Sequence, residues 1–484
     1  MKKKGSITVY LLLLLTVFLL LVGAVFYSVR CRQAKTIVKT AARQSMMDLF
    51  SRYEPTLFEK YDLLFLDAGL GTNSFRGGLL LQCVEKNAAG MWGEGTAATN
   101  LCGLSQASAA LQGYTLATDQ NGEAFYRQAV EAAAQAFPAE AVKLAGEYMQ
   151  QARKQENTGR TRGDVDKACT DYQKAVEKAQ EGDVKDAGKD KTGDTKAGPT
   201  TVQLQENPIE AVKKLQKKGL LGLVMPKQST MSAGSVKKRT LLSARKLQQG
   251  VGLTTVAQKH STRDRLLFTQ YLGSHLSSFC APDKEAALAW QLEYVIGQKT
   301  TDKANLKKTV EALLVMREGA NLLYLKSDSQ KVAEVHAMAA SIAAALAVPV
   351  SEELIRRVLM VCWAYGESLM DVRILLAGGK VPVVKDSASW QLAISKLAGV
   401  GNEQSKKGTK GLDYTGYLEL LLQLQTEKNN IRRGMDMVEL GMRGQEKKSS
   451  FSLDHCIEAA SIELSARVSG AGTVRAVEYR SYEN

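Results

Sequence analysis

Lys2-Lys3-Lys4-Gly5-Ser6-Ile7-Thr8-Val9-Tyr10-Leu11-Leu12-Leu13-Leu14-Leu15 opens a run that carries no charge and no proline until it leaves Val29 for Arg30-Cys31-Arg32. From Ile7 to Val29 the run is 23 residues long. At about 1.5 Å per residue it makes a helix of roughly 34 Å, enough for a hydrocarbon core of about 30 Å. Lipid offers the backbone no partner, so the segment must pair its own N–H and C=O groups as a helix. A removable secretory signal has an apolar core of about 7–15 residues and a small-x-small exit. This run is longer and exits into arginines, so the reading is a retained single span. Both flanks are basic, and their charge does not set the orientation. The short amino tail with 455 residues behind the span has the shape of a signal anchor with its bulk outside the cell membrane.

Beyond the span, Leu49, Phe50, Tyr53, Leu57, Phe58, Tyr61, Leu64 and Phe65 recur every three or four residues, the period of one helix face. Pro55 interrupts that helix, because it lacks an N–H and disfavours helical Glu54. The stripe serves either its own domain's core or an assembly surface. Asp67 to Asn73 is a turn, residues 78–92 a short helix, and Tyr114, Leu116 and Thr118 mark a short strand. Glu123 to Lys154 is helical, with a break near Pro138. Residues 155–205 are rich in Gly, Asp, Lys and Thr and too poor in apolar groups for a core: a flexible linker, or a solvated helix over 166–181 followed by one.

A second soluble region begins near residue 261. Helices are expected over 284–296, 304–325 with Asp302 as cap, 329–347, 352–377 with Ser351 as cap, 386–397, 413–426 and 427–443. The period then switches. Ser461–Val468 and Thr473–Tyr482 alternate apolar and polar around Ser469-Gly470-Ala471-Gly472, a β-hairpin. The fold class is therefore mainly α with a small C-terminal β element (α+β): a transmembrane helix, a helical stalk and a bundle-like soluble region. The divisions are a basic leader (1–5), the span (6–29), a membrane-proximal helical region (30–154), a flexible charged and basic linker (155–260) and a helical C-terminal region with the hairpin (261–484).

Charged residues make up 24% and apolar residues 45% of the chain, ordinary for globular protein. Seven cysteines, at 31, 83, 102, 169, 280, 362 and 456, form no CxxC and no zinc spacing. Cys83 with Cys102 is a candidate disulfide; the other reading is ordinary thiols throughout. The net charge of +14 is concentrated, because Ala211 to Arg263 holds twelve Lys or Arg and no acid. Lys213, Lys214, Lys217, Lys218, Lys237, Lys238, Arg239, Arg245 and Lys246 are its candidate contacts to an anionic surface. The block lacks interleaved aromatics, which argues against nucleic acid. Anionic cell-wall polymer or lipid headgroups are the partners its charge suits; a solvated linker is the alternative.

Lys4-Gly5-Ser6-Ile7-Thr8-Val9 before a long apolar run resembles the amino termini of TadE/TadG-like pseudopilins of tight-adherence (Flp-type) pilus systems. That resemblance implies processing between Gly5 and Ser6. Tyr10 stands where many such proteins carry Glu. Leu57-Phe58-Glu59-Lys60-Tyr61-Asp62-Leu63-Leu64-Phe65-Leu66-Asp67, Asn207-Pro208-Ile209-Glu210-Ala211-Val212 and Ile374-Leu375-Leu376-Ala377-Gly378-Gly379-Lys380-Val381-Pro382 look like a bacterial membrane-anchored family without an assigned activity, often encoded beside such pilus genes. The resemblance implies pilus or secretion-system membrane subunits as partners.

Chemistry finds little footing. The four histidines (260, 275, 336 and 455) have no metal-ligand spacing. His455 and Cys456 are neighbours in strand-like sequence, where successive side chains face opposite ways. Glu367 and Asp371 share a helix face, a pattern for acid–base work or, more simply, for ion pairs with Arg373, Arg356 or a partner helix. Gly297-Gln298-Lys299-Thr300 lacks the glycine spacing of a phosphate loop. The expectation is a non-catalytic anchored protein with no cofactor, no metal and no nucleic-acid partner.

Overall fold

A computed structural model describes residues 4–93, 100–186, 207–346, 350–406, 408–446 and 448–482. The chain forms two compact units: Met1–Ala132, Leu241–Lys259 and Val438–Asn484 in the first, Ala133–Thr240 and His260–Met437 in the second. It is mainly helical with one small antiparallel sheet, the class the sequence implied.

The first unit is built on α1 (Lys4–Phe50), one helix with two characters. From Ile7 to Val29 its apolar side chains stand exposed. From Ala34 onward Ala34, Val38, Ala41, Ala42, Met46, Leu49 and Phe50 return every three or four residues and are buried. Small residues let the helix approach the sheet closely. It stops before Pro55, which opens α2 (Pro55–Tyr61), and Glu54 caps α2 by accepting from Thr56 N at 3.2 Å. The aromatic stripe is thus cut into pieces that mostly serve the core: Tyr61 and Phe65 are buried, Phe58 is 40% exposed.

After β1 (Leu66–Asp67), α3 (Gly77–Met91), β2 (Leu104–Leu116) and α4 (Asp119–Ala136), the unit is completed near the end of the chain by β3 (Cys456–Val468) and β4 (Gly472–Ser481). Strand β3 is central. It pairs with β2 along one edge (Tyr114 opposite Ala460) and with β4 and the short β1 along the other (Ala459 opposite Ser481, Leu66 opposite Ile457). The β3–β4 turn uses Gly470 and Gly472 at φ of +74° and +85°, which glycine adopts without a Cβ penalty. Ile462, Leu464, Ala466 and Val468 share the core with α1 and α3. Tyr482 fixes the far end: its ring lies 4.9 Å from that of Phe50 and its hydroxyl donates to Phe50 O at 2.8 Å. Residues 241–259 belong to this unit, and the Tyr114 and Val251 backbones bond reciprocally at 2.7 and 3.0 Å.

The second unit is a helical assembly: α5 (Ala139–Arg162), α6 (Val165–Asp186), α7 (Pro208–Gln216), α8 (Leu220–Val224), α9 (Thr262–His275), α10 (Gln291–Gly297), α11 (Asp302–Ser327), α12 (Ser329–Ala345), α13 (Glu352–Leu376), α14 (Tyr414–Leu424) and α15 (Glu427–Arg443). The division between units falls within α4 and within α15. Helices α11 and α13 form the axis and pack on each other, with α5, α6, α7 and α12 around them. Helix α13 is buried nearly throughout and ends where Gly378 takes φ +76°.

Several expectations are revised. Residues 155–186, expected in a flexible linker, are helical and bury Cys169 and Tyr172, while 187–206 lie outside the described residues. The later part of that stretch is also ordered, with Leu241 and Leu242 buried. The region 30–154, expected to be helical apart from a short strand near Tyr114, also supplies β1, and the strand there is longer, β2 running from Leu104 to Leu116. Thr301, not Asp302, caps α11. Helix α10 starts only at Gln291, because the buried Asp302 carboxylate takes the N–H of Ala289 at 2.9 Å. All seven cysteines are free thiols, so Cys83 and Cys102 are not bridged.

Candidate functional site

Gly5 and Ser6, the residues of the implied leader junction, lie in the first turn of α1, immediately before the exposed apolar stretch. The structure contains one helix long and apolar enough to cross a membrane among its described residues, and it is this one.

The basic block is divided between the two units. Lys213, Lys214, Lys217, Lys218, Lys237, Lys238 and Arg239 belong to the second unit, Arg245 and Lys246 to the first. Lys213 donates to Gln173 Oε1 between α7 and α6. Lys214, Lys217, Lys218, Lys237, Lys238, Arg239 and Lys246 are exposed. In the second unit Lys218, Leu220, Leu223, Met231, Lys303 and Lys307 border an open groove of about 730 Å³, three ammonium groups beside apolar side chains.

Arg245 is a different residue from its neighbours. Its guanidinium grips both oxygens of Glu439 at 2.6 and 2.7 Å, and reaches Asp454 at 2.7 Å and Ser452 Oγ at 2.8 Å. Arg443 closes the cluster on Glu439 at 2.7 Å. Burial pushes the Asp454 carboxyl up, but the Gln248 N–H, Ser452 and Arg245 outweigh it and hold it below the usual range. As a surface contact, therefore, Arg245 is corrected to an internal tie, since its donors are already spent on carboxylates.

In the second unit Glu367 and Asp371 do pair: Asp371 with Arg317 of the partner helix α11, and both with Lys385, which the sequence did not nominate. Lys385 Nζ sits 2.6 Å from Glu367 Oε1 and 2.6 Å from Asp371 Oδ1. Arg317 Nε donates to Asp371 Oδ2 at 3.0 Å, and its Nη1 reaches the Tyr417 hydroxyl at 2.9 Å and Val383 O at 3.2 Å. All four charged side chains are 0–1% exposed. The two cations and two anions cancel, which is what permits their burial. Glu367 also accepts from Gln391 N and Leu392 N at 2.9 and 2.7 Å. Burial raises the Glu367 carboxyl despite Lys385; Asp371, also raised by burial, has both Lys385 and Arg317 against it and ends below its usual value. Arg373, an expected partner, instead donates to the carbonyls of Leu223, Val400 and Glu403. Arg356 lies beside Glu353 and His336.

Cys456 Sγ donates to Ser452 O at 3.9 Å, and burial pushes its thiol well above the usual range. A cleft of about 670 Å³ bordered by Cys280, Ser232 and Trp290 has no His, Asp or Glu in its wall among the described residues. Among the described residues no three His, Cys, Asp or Glu side chains converge on a metal position. The sequence signal for the ionic cluster was the Glu367/Asp371 spacing; Lys385 and Arg317 gave none, lying 14 and 54 residues from Asp371.

A search of curated proteins and a search of solved structures each gave no match. A family model does match, over residues 199–468, more than half of the chain. It spans α13, Lys385 and the Arg245–Glu439–Asp454 tie, so both buried charge clusters lie largely inside it. The chain belongs to this family, described as a family of unknown function (DUF5702).

Proposed function

We propose that the protein is a non-catalytic, single-pass membrane-anchored surface protein that serves as a component or accessory of a tight-adherence-type pilus or secretion apparatus. The observation that carries this reading is the two-character helix α1: an exposed apolar half from Ile7 to Val29 continues without a break into a half buried against the sheet from Ala34. A force or displacement applied to the apolar half is thereby delivered to a folded body, which suits a subunit held among other membrane helices. The apolar length and the basic residues before it support anchoring, and the resemblance of Lys4 to Val9 to pseudopilin leaders supports the apparatus.

A second reading has its own observation. The lysine-bordered apolar groove and the exposed Lys217, Lys218, Lys237, Lys238 and Arg239 suit anionic wall polymer or lipid headgroups.

The test is the intact mass of the protein from native membranes, with protease digestion of whole cells. Loss of Met1 to Gly5 with external cleavage beyond residue 30 supports the apparatus. An intact amino terminus with the same cleavage favours the surface-binding reading. Loss of the whole apolar run, or full protection from external protease, sinks the anchored extracytoplasmic arrangement.

A further inference from the structure

The second unit holds two thiols in direct contact. Cys169 on α6 and Cys362 on α13 place their Sγ atoms 3.6 Å apart, and both residues are 0% exposed. Each lies within a helix whose neighbours are fixed: Tyr172 is buried one turn along α6 and accepts a hydrogen bond from Asn207 at 2.9 Å, while Leu359 and Trp363 are buried beside Cys362. Cys169 Sγ also approaches Ile209 O of α7 at 3.9 Å.

We infer that Cys169 and Cys362 are a disulfide site that covalently ties α6 to α13 when the protein is exported. A disulfide has its sulfurs about 2.05 Å apart, so closure asks for a relative movement of about 1.5 Å, within reach of side-chain rotation and small helix adjustment. The pair is also chemically differentiated. The hydrogen bond from Cys362 lowers the Cys169 thiol despite burial, and that same bond together with burial raises Cys362. Cys169 is thus the more readily ionised of the two thiols, and the one that attacks once deprotonated.

The exchange balances with a small-molecule or protein disulfide as oxidant. The Cys169 thiolate attacks one oxidant sulfur, breaks the oxidant S–S bond and releases one thiolate. Cys362 then gives its proton to that released thiolate, attacks the Cys169 sulfur and expels the second sulfur as a thiolate, which takes up from solvent the proton that Cys169 gave up on ionising. Two electrons pass from the cysteine pair to the oxidant, which leaves as two thiols. Helix α6 then depends on a covalent bond as well as on its buried face, which its high content of charge and its adjoining Gly163 leave narrow.

The inference rests on the extracytoplasmic reading for its oxidant, and the experiment separates the two. Full-length protein from native membranes is acid-quenched, alkylated in denaturant without reductant, and digested with trypsin. The expected result is loss of the separate 168–174 and 358–373 peptides, replaced by one linked species that reductant releases. In the native fold, reductant should then hasten proteolysis after Lys174 and Lys178. Alkylation of both cysteines in protein whose soluble region is digested from outside the cell overturns the inference alone. If that region is protected in cells, the placement has failed, and purified full-length protein equilibrated with reduced and oxidised glutathione decides the site. The same linked peptide there upholds it, and its absence, or a link between other cysteines, overturns it. A Cys362→Ser chain serves as the control that must lose the link.

Discussion

Lys385 Nζ lies 2.6 Å from Asp371 Oδ1, with both side chains 1% exposed, so an ammonium from an irregular segment neutralises a carboxylate in the middle of α13. The same ammonium serves Glu367. Truncating the cation leaves two buried carboxylates to share Arg317. A Lys385→Met chain should lose about 3–5 kcal/mol of second-unit stability, the usual cost of breaking a buried pair from one side. Part of that loss should return on acidification, as Glu367, already raised by burial, takes up a proton. Urea unfolding followed by tryptophan fluorescence reads this locally, because the Trp390 ring centroid is 5.9 Å from Lys385 Nζ. A loss below about 1 kcal/mol would show that the ammonium is replaceable by solvent or by rearrangement of Arg317.

Glycine content sets how closely α5 and α11 approach. A Cβ at Gly319 would overlap the carbonyl oxygen of Gln155, and one at Gly159 would meet that of Val315. Backbone atoms cannot swing aside, so Gly319→Ala should cost about 2–3 kcal/mol by overpacking. Gly222 in α8 has nothing within 4 Å of its hypothetical Cβ. Gly222→Ala should therefore be neutral or stabilise by up to about 1 kcal/mol, the helix propensity difference. Thermal unfolding of the pair of variants side by side is the check.

The sequence was most readable where local pattern and burial agree. The 427–443 helix, the stop of α13 at Gly378 and the β3–β4 hairpin follow from periodicity and turn residues alone. What stayed hidden depends on partners far along the chain. Strand β2 showed only as Tyr114 and Leu116, because Ser105, Ser108 and Gln112 on its other face give no apolar period, and its partner β3 is some 350 residues away. The stretch 386–397 has helical composition, yet Gln391 N and Leu392 N are captured by Glu367, so that after a single turn at 387–389 only residues 394–399 are helical, as a 3-10 helix. The basic run hid the role of Arg245, because no acid lies near it in sequence: Glu439 and Asp454 are 194 and 209 residues away.

Arg245 and Lys246 therefore should respond very differently to substitution. Arg245→Ala strips two carboxylates, Glu439 with 1% and Asp454 with 6% side-chain exposure, of their bidentate or direct partner. A loss of about 2–4 kcal/mol is expected, softened by Arg443 remaining on Glu439. Lys246 is exposed, and Lys246→Ala should stay within about 0.5 kcal/mol. Amide exchange of β3 peptides in the first unit separates the two. Equal protection in both variants would return Arg245 to the solvent-facing block.

Glu293 makes second-unit stability depend on pH with a sign opposite to that of a salt-bridged carboxylate. It is fully buried, and burial pushes its carboxyl up to about 7, although Phe279 N at 2.7 Å and the Tyr414 hydroxyl at 2.8 Å donate to Oε1 and work the other way. Because the folded value lies above the unfolded one of about 4.5, the folded chain holds a proton that the unfolded chain releases between pH 4.5 and 7. The stabilisation is complete below pH about 4.5 and is lost as pH rises through about 7, an effect of about 3 kcal/mol for a shift of this size. Glu419, which burial also raises to about 7, adds to the same decline. Glu293→Gln keeps an oxygen for Phe279 and Tyr414 but cannot ionise. Its amide has no partner at the Oε2 position among the described residues, which adds a cost that does not vary with pH. The informative quantity is thus the slope: between pH 5 and 8 the unfolding free energy of Glu293→Gln should fall by about 3 kcal/mol less than that of the parent chain. Parallel curves for the two chains would mean that Glu293 ionises in the folded state as readily as in water, and that its pocket admits solvent.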